Sequence, residues 1–327
     1  HTHDGTAAEG GPVTVLGPVQ DFVATATEIK PKTTNTLSIG TASLQFKDLY
    51  IDGTANIDNI VVDGTVNIQA THPTGTSNVG FGSGTFAAVE AGATLNTAMG
   101  VNALQDLTTG DNNTAIGYQA ALNATTAGGT VAIGTNAIGL GVLTGASNIA
   151  IGNGAGYDLT SGAYNTFMGY QAGYNATTVN RAIAIGTFAI GSGVLTGTDN
   201  TAIGYQAGYD LTSGTYNNFT GHQSGSNVTT GAGNVFSGYQ TGENATTASF
   251  GISIGYSAIG VGVMTGTDNT AIGRQAGNDL TSGSYNNFIG YTAGANATTA
   301  DDNVAIGRQA IGLGVLTGDD NVAIGYL

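Results

Sequence analysis

The stretch Asn200-Thr-Ala-Ile-Gly-Tyr-Gln-Ala-Gly-Tyr-Asp-Leu-Thr-Ser-Gly-Thr-Tyr216 decides the fold, because the chain writes it again and again from Asn78 to its last residue. Units begin at residues 78, 96, 113, 130, 148, 165, 182, 200, 217, 234, 251, 269, 286, 303 and 321. Fourteen are complete, at 17 or 18 residues each, and the fifteenth stops at Leu327. A fixed short period makes each unit one turn of a stack that cannot bury a core alone.

Numbered from the first residue of each unit, the fifth position is always Gly, as at Gly117, Gly134, Gly152, Gly204 and Gly273. Such a column marks a corner that needs positive φ or a close backbone approach. The fourth position is usually Ile (Ile116, Ile133, Ile151, Ile203, Ile272, Ile306), and the reading places these side chains inside the coil. The sixth is often Tyr (Tyr118, Tyr170, Tyr205, Tyr291), expected at the outer surface or a subunit seam. Near the thirteenth a Thr recurs, including Thr160, Thr212 and Thr281. The β-competent run before each Gly is too short for a helix, and the frequent Gly argues against one. Asn at the first position suits turns in which a side chain bonds the backbone. These features predict an all-β, parallel β-solenoid (a β-roll) with two short strands per coil. Coils stacked about 4.8 Å apart would rise roughly 65–70 Å over fifteen units. With so few large apolar side chains per coil, the Ala and Gly columns predict a parallel homotrimer whose closed interface buries them.

The Asn-(Thr/Val)-Ala-Ile-Gly run followed by small residues resembles the β-roll repeats of trimeric autotransporter adhesin heads. It is more similar still to tail-fibre repeats of marine tailed bacteriophages, in which Ala-Ile-Gly-Tyr-Gln-Ala is frequent. The resemblance covers residues 78–327, about three quarters of the chain. The adhesin unit is shorter and lacks the Asp-Leu-Thr-Ser-Gly-Thr-Tyr arm. The resemblance implies a homotrimeric fibre on the virion, outside the cell, with other tail proteins and a host surface receptor as partners. Units at 130, 182, 251 and 303 share Ala-Ile-Gly-x-Gly-Val-(Leu/Met)-Thr-Gly, and Phe167, Phe219, Phe236 and Phe288 replace Ala at the third position. Block duplication accounts for this grammar.

Charged residues make up only 8% of the chain and apolar ones 40%, which is not the composition of disorder. The formal net charge is −15, and the six Lys and Arg are scattered, which argues against nucleic acid or anionic membranes as partners. Absence of Cys excludes disulfides. No apolar run approaches the length of a membrane span.

Three segments follow. Residues 1–20 are Gly-rich and open with His1-Thr-His3. Both imidazoles would lie on one side of an extended strand, and three chains would bring six of them to an axis, enough for an octahedral transition metal. His-x-His-Asp-Gly also resembles phage fibre and baseplate segments, which implies iron. Residues 21–77 form a β segment with turn steps at Asp52-Gly53 and Asp63-Gly64, too small to bury a core without interchain packing. His72 belongs to the linker that leads into the repeats at 78–327. The last unit still reads as an ordinary repeat, so the native polypeptide is expected to continue beyond Leu327.

No nucleophile–base pair stands out, and His222 merely replaces Tyr in its column, so the chain reads as a non-enzyme. The many Gly-x-Gly matches are products of the repeat. Acidic turns at Asp199, Asp268, Asp301-Asp302 and Asp319-Asp320 offer oxygen ligands for Ca²⁺, against a simpler role in capping strand starts. Asn-x-Thr at Asn123, Asn175, Asn227, Asn244 and Asn296 follows from the repeat arm. Three functions compete: a phage tail fibre, a bacterial trimeric surface adhesin, and an ice-binding solenoid built on the Thr column. Residues 1–77 resemble fibre modules and no heptad stalk appears, which favours the first.

Overall fold

The computed structural model describes Phe22–Ala24, Ile29–Pro31 and residues 77–90, 92–312 and 314–326. All the regular elements among them are strands. The chain falls into two units, His1–Val66 and Asn67–Leu327. In the first, β1 (Phe22–Ala24) pairs antiparallel with β2 (Ile29–Pro31), with Phe22 opposite Pro31 and Ala24 opposite Ile29. His1, His3, the two Asp-Gly steps and His72 lie outside the described residues.

The second unit is a parallel β-solenoid. Its fifteen strands run from β3 (Val79–Phe81) through β10 (Thr201–Ile203) to β17 (Val322–Ile324) and form one sheet in strict chain order. Each strand is positions two to four of a unit, so equivalent residues stack. Ala202 of β10 lies between Ala184 and Phe219. The fifth-position glycine ends every strand: Gly134 has φ +130°, and a Cβ there would sit 2.6 Å from the carbonyl oxygen of Gly152. Only Gly fits such a corner.

Two expectations need correction. Each coil carries one regular strand rather than two. On the opposite side the Thr backbones do bond from coil to coil, as Thr160 N–H to Thr177 O and Thr212 N–H to Thr229 O, both 2.9 Å. Pairing there reaches a β-bridge only at Ala124–Leu143 and Ala297–Leu316 among the described residues. Left-handed residues at positions seven and nine, such as Gln206 (φ +52°) and Gly208 (φ +56°), break that side into turns before extended backbone accumulates.

The second correction is parity. Ile116, Ile203 and Ile272 point outward and are 36%, 39% and 36% exposed, while their neighbours Ala115, Ala202 and Ala271 are fully buried. Ile306 is exposed as well, and Ile133 and Ile151 are half-buried. The first-position Asn is buried, and side chains alternate along a strand. Hence position three points in and positions two and four point out.

That buried Asn forms a spine. Asn217 Nδ2 donates to Asn200 Oδ1 (3.1 Å) and to the Gly231 carbonyl (2.8 Å), and its own Oδ1 accepts from N–H and Nδ2 of Asn234. The amide ladder stops at Thr130, Ala182 and Gly251, whose backbone N–H groups still donate to the Asn below. These three open three of the four units with the Gly-Val-(Leu/Met) arm; the fourth opens with Asn303, which keeps the ladder. Around the spine, Leu159, Leu211 and Leu280 fill the interior from the far side.

Candidate functional site

With the interior closed by small residues, the features available to a partner are the exposed columns. Four positions of each unit line one face: the residue just before the Asn (position zero) and positions two, four and six. Position four is apolar over most of the sheet, as at Met99, Ile254 and Ile289, and position two is divided between Ile or Val (Ile149, Ile183, Val235) and Thr or Asn. The side chains there are uncharged, and the aliphatic ones form a stripe, broken at Thr220 and Ser237, of the kind that marks an interaction surface.

Position six, beyond the glycine corner, is a stack. The His222 ring lies 4.9 Å from both Tyr205 and Tyr239, and Tyr239 lies 5.2 Å from Tyr256. The column continues as an alternation of cation and ring. Arg274 sits over Tyr256 and Tyr291 at 5.5 and 5.7 Å, and Arg308 over Tyr291 and Tyr326 at 5.6 and 5.4 Å. Ring faces are therefore spent on one another, leaving edges and hydroxyls outward. Tyr118, Tyr170, Tyr205 and Tyr291 are all exposed.

In the acidic turns, Asp199, Asp301 and Asp319 are occupied by structural work. Arg181 binds Asp199 through two hydrogen bonds of 2.6 and 2.8 Å, and this, with the Thr198 hydroxyl, lowers the Asp199 pKa to about 2. Asp301 Oδ1 accepts from Ser284 N–H at 2.7 Å, and Asp319 Oδ1 accepts from Asp301 N–H at 2.8 Å. Asp111, Asn180 and Ser249 accept one coil apart in the same way. Among the described residues no group of three or more His, Asp or Glu could hold a metal ion. The sequon asparagines also commit their amides: Asn123 Nδ2 donates to Leu140 O at 2.8 Å, and Asn227 Nδ2 to Asn244 Oδ1 at 2.7 Å.

Part of the Thr column directs its hydroxyls along the stack, while Thr144, Thr196 and Thr265 are exposed. Thr160, Thr212 and Thr281 each donate to the Thr carbonyl of the next coil, at 2.9, 3.0 and 2.7 Å. Sequence reasoning singled out the Thr and Gly columns but missed position zero, whose residue type changes from unit to unit. Its signal is conformational: Tyr164, Tyr216, Phe250 and Tyr285 all sit there at φ of +55° to +61°, and all are exposed.

No protein-family model, curated protein or solved structure matches the chain.

Proposed function

We propose that the chain is a structural component of a tailed-phage fibre, a parallel homotrimer outside the cell that carries or forms the receptor-binding part of the virion. The observation that carries this reading is the strand face. Ile, Val and Met of positions two and four stay exposed in one chain over many successive coils, and a soluble rod needs that stripe covered. Two further copies cover it at once, since a closed ring around a common axis turns all three faces inward. The repeats of the sequence favour a fibre over an enzyme, and the stacked ladders supply stiffness without a catalytic constellation.

The bacterial-adhesin reading shares the architecture and rests on the same Asn-(Thr/Val)-Ala-Ile-Gly resemblance. The ice-binding reading loses support at Thr160, Thr212 and Thr281, whose hydroxyls donate to backbone carbonyls.

Immunogold labelling with antibody raised against the purified chain separates these readings. Label on the tails of virions supports the fibre, and label on bacterial envelopes supports the adhesin. Sedimentation of the full chain as a stable monomer overturns both.

A further inference from the structure

The two edges of the strand face match each other in residue type in ten of the fifteen units, at a distance no single chain bridges. Position zero borders one edge and position six the other. Between them run the strand and its two flanking residues, on the order of 15 Å. Among the described residues no ion pair or ring contact joins the position-zero residue of a unit to its own position six.

Even so, the residue types correspond. Asp268 precedes the unit that carries Arg274, and Asp302 the unit that carries Arg308. All four aromatic residues at position zero have an aromatic ring at position six: Tyr164 with Tyr170, Tyr216 with His222, Phe250 with Tyr256, Tyr285 with Tyr291. Leu95 goes with Val101, and the small Ser77, Gly129 and Ser147 with Ser83, Thr135 and Asn153. Where charge at position zero is already neutralised inside the chain, by Arg181 with Asp199, the position-six residues are the uncharged Thr187 and Tyr205. Arg274 and Arg308 have rings above and below but no carboxylate within ion-pair distance among the described residues. Tyr118 opposite Asn112, Tyr239 opposite Gly233 and Tyr326 opposite Asp320 depart from the pattern; the last two join the position-six stack, as neighbours of Tyr256 and Arg308.

We propose that position zero of one copy meets position six of the next at equal height, so that Asp268 pairs with Arg274 and Asp302 with Arg308 across every subunit seam. The inference rests on the homotrimer reading and adds to it a seam register: each unit of one copy faces the same unit of the next. The physical cause is ring closure. Around a common axis with strand faces inward, the edge bearing position zero in one copy abuts the opposite edge of its neighbour, a head-to-tail contact of two different surfaces. A slip by one coil would set Arg274 against Phe250 and leave its guanidinium unpaired at the seam, which costs more than a rim contact.

The chain has no Cys, so pairs can be tested cleanly. Asp268→Cys with Arg274→Cys in the full chain, treated with a short bismaleimide, is expected to give covalent dimers and trimers under denaturing electrophoresis. Asp268→Cys with Tyr205→Cys, displaced by four coils or roughly 19 Å, is expected to stay uncrosslinked. Arg274→Asp is expected to raise the concentration needed for assembly roughly tenfold or more, and adding Asp268→Arg to restore it. A trimer that links the displaced pair, or that the charge exchange fails to rescue, overturns the register while leaving the homotrimer intact. A monomeric parent chain by sedimentation overturns both.

Discussion

Phe167 and Gly173 share one volume: a Cβ at Gly173 would lie 2.6 Å from the Phe167 ring. Gly156, one coil earlier, faces the other side of that ring at 2.8 Å. The same exchange recurs with Phe219 against Gly208 and Gly225, and with Phe288 against Gly277 and Gly294. Some coils with Ala at position three carry bulk at position nine instead, as in Ala132 with Ile138 and Ala184 with Ile190, all fully buried, whereas Ala150, Ala202 and Ala271 keep Gly at nine beside the ring of the next coil. Interiors packed to crystal-like density make such size changes reciprocal.

Phe167→Ala is therefore expected to destabilise by about 3–5 kcal/mol through the cavity it leaves. Gly173→Ile alone overpacks the coil. Its backbone is not the obstacle, since Ile190 holds φ +48° at the equivalent place. The double variant should recreate the Ala184/Ile190 arrangement and melt above either single variant. Thermal unfolding of all three checks this; a double variant less stable than both singles would contradict the shared-volume account.

Much of this was legible in the sequence, for definite reasons. The 17/18 period gave the stacking, and a Gly at every fifth position gave the corner. Parity was hidden because Ala202 and Ile203 are both apolar, so the alternation of a three-residue strand leaves no polar mark. The usual preference of Asn for solvent also pointed the wrong way. Asn217 is buried because the next Asn along the stack supplies its partner, a relation visible only once coils are superposed. The single strand per coil was equally hidden, since the left-handed backbone at Gln206 has no obligatory residue type. Among the site features, the Tyr column was readable from its repetition. The pairing of edges was not, because it connects positions six apart that never touch within a chain.

The amide spine gives a second test. Asn217→Ala removes the side-chain bonds to Asn200, Gly231 and Asn234 together. Each buried group left unpaired costs about 1–3 kcal/mol. Amide exchange should accelerate first at Asn234, whose N–H loses its Asn217 acceptor, and leave distant coils protected, since stability in a solenoid is a nearest-neighbour property. Uniform acceleration along the whole stack would argue against a local ladder.

Acid should release the Arg181–Asp199 pair. The Asp199 pKa in the folded chain lies at about 2, below the ordinary aspartate value, so the pair's contribution is complete above the ordinary value and is lost as pH falls through about 2. The pair is solvent-exposed, so the effect on global stability is small. Carboxyl NMR of Asp199 should titrate near 2, and Arg181→Ala should move the midpoint up toward the ordinary range. A midpoint unmoved by Arg181→Ala would remove the guanidinium as its cause.

Outward Ile and inward Ala make opposite predictions for the same substitution. Ala202→Asp places an unpaired charge in a fully buried column, where no partner or water reaches it, and should unfold its coil at a cost of several kcal/mol. Ile203→Asp puts the same charge on the exposed face, where Thr220 and Ser237 already stand in the column. It should leave the circular dichroism of the chain close to that of the parent. Its effect should fall on assembly instead, because a seam lined with Ile272 and Ile289 does not solvate a carboxylate. Circular dichroism and sedimentation on both variants separate the two effects. An Ile203→Asp chain that unfolds like Ala202→Asp would put the Ile column back inside the coil.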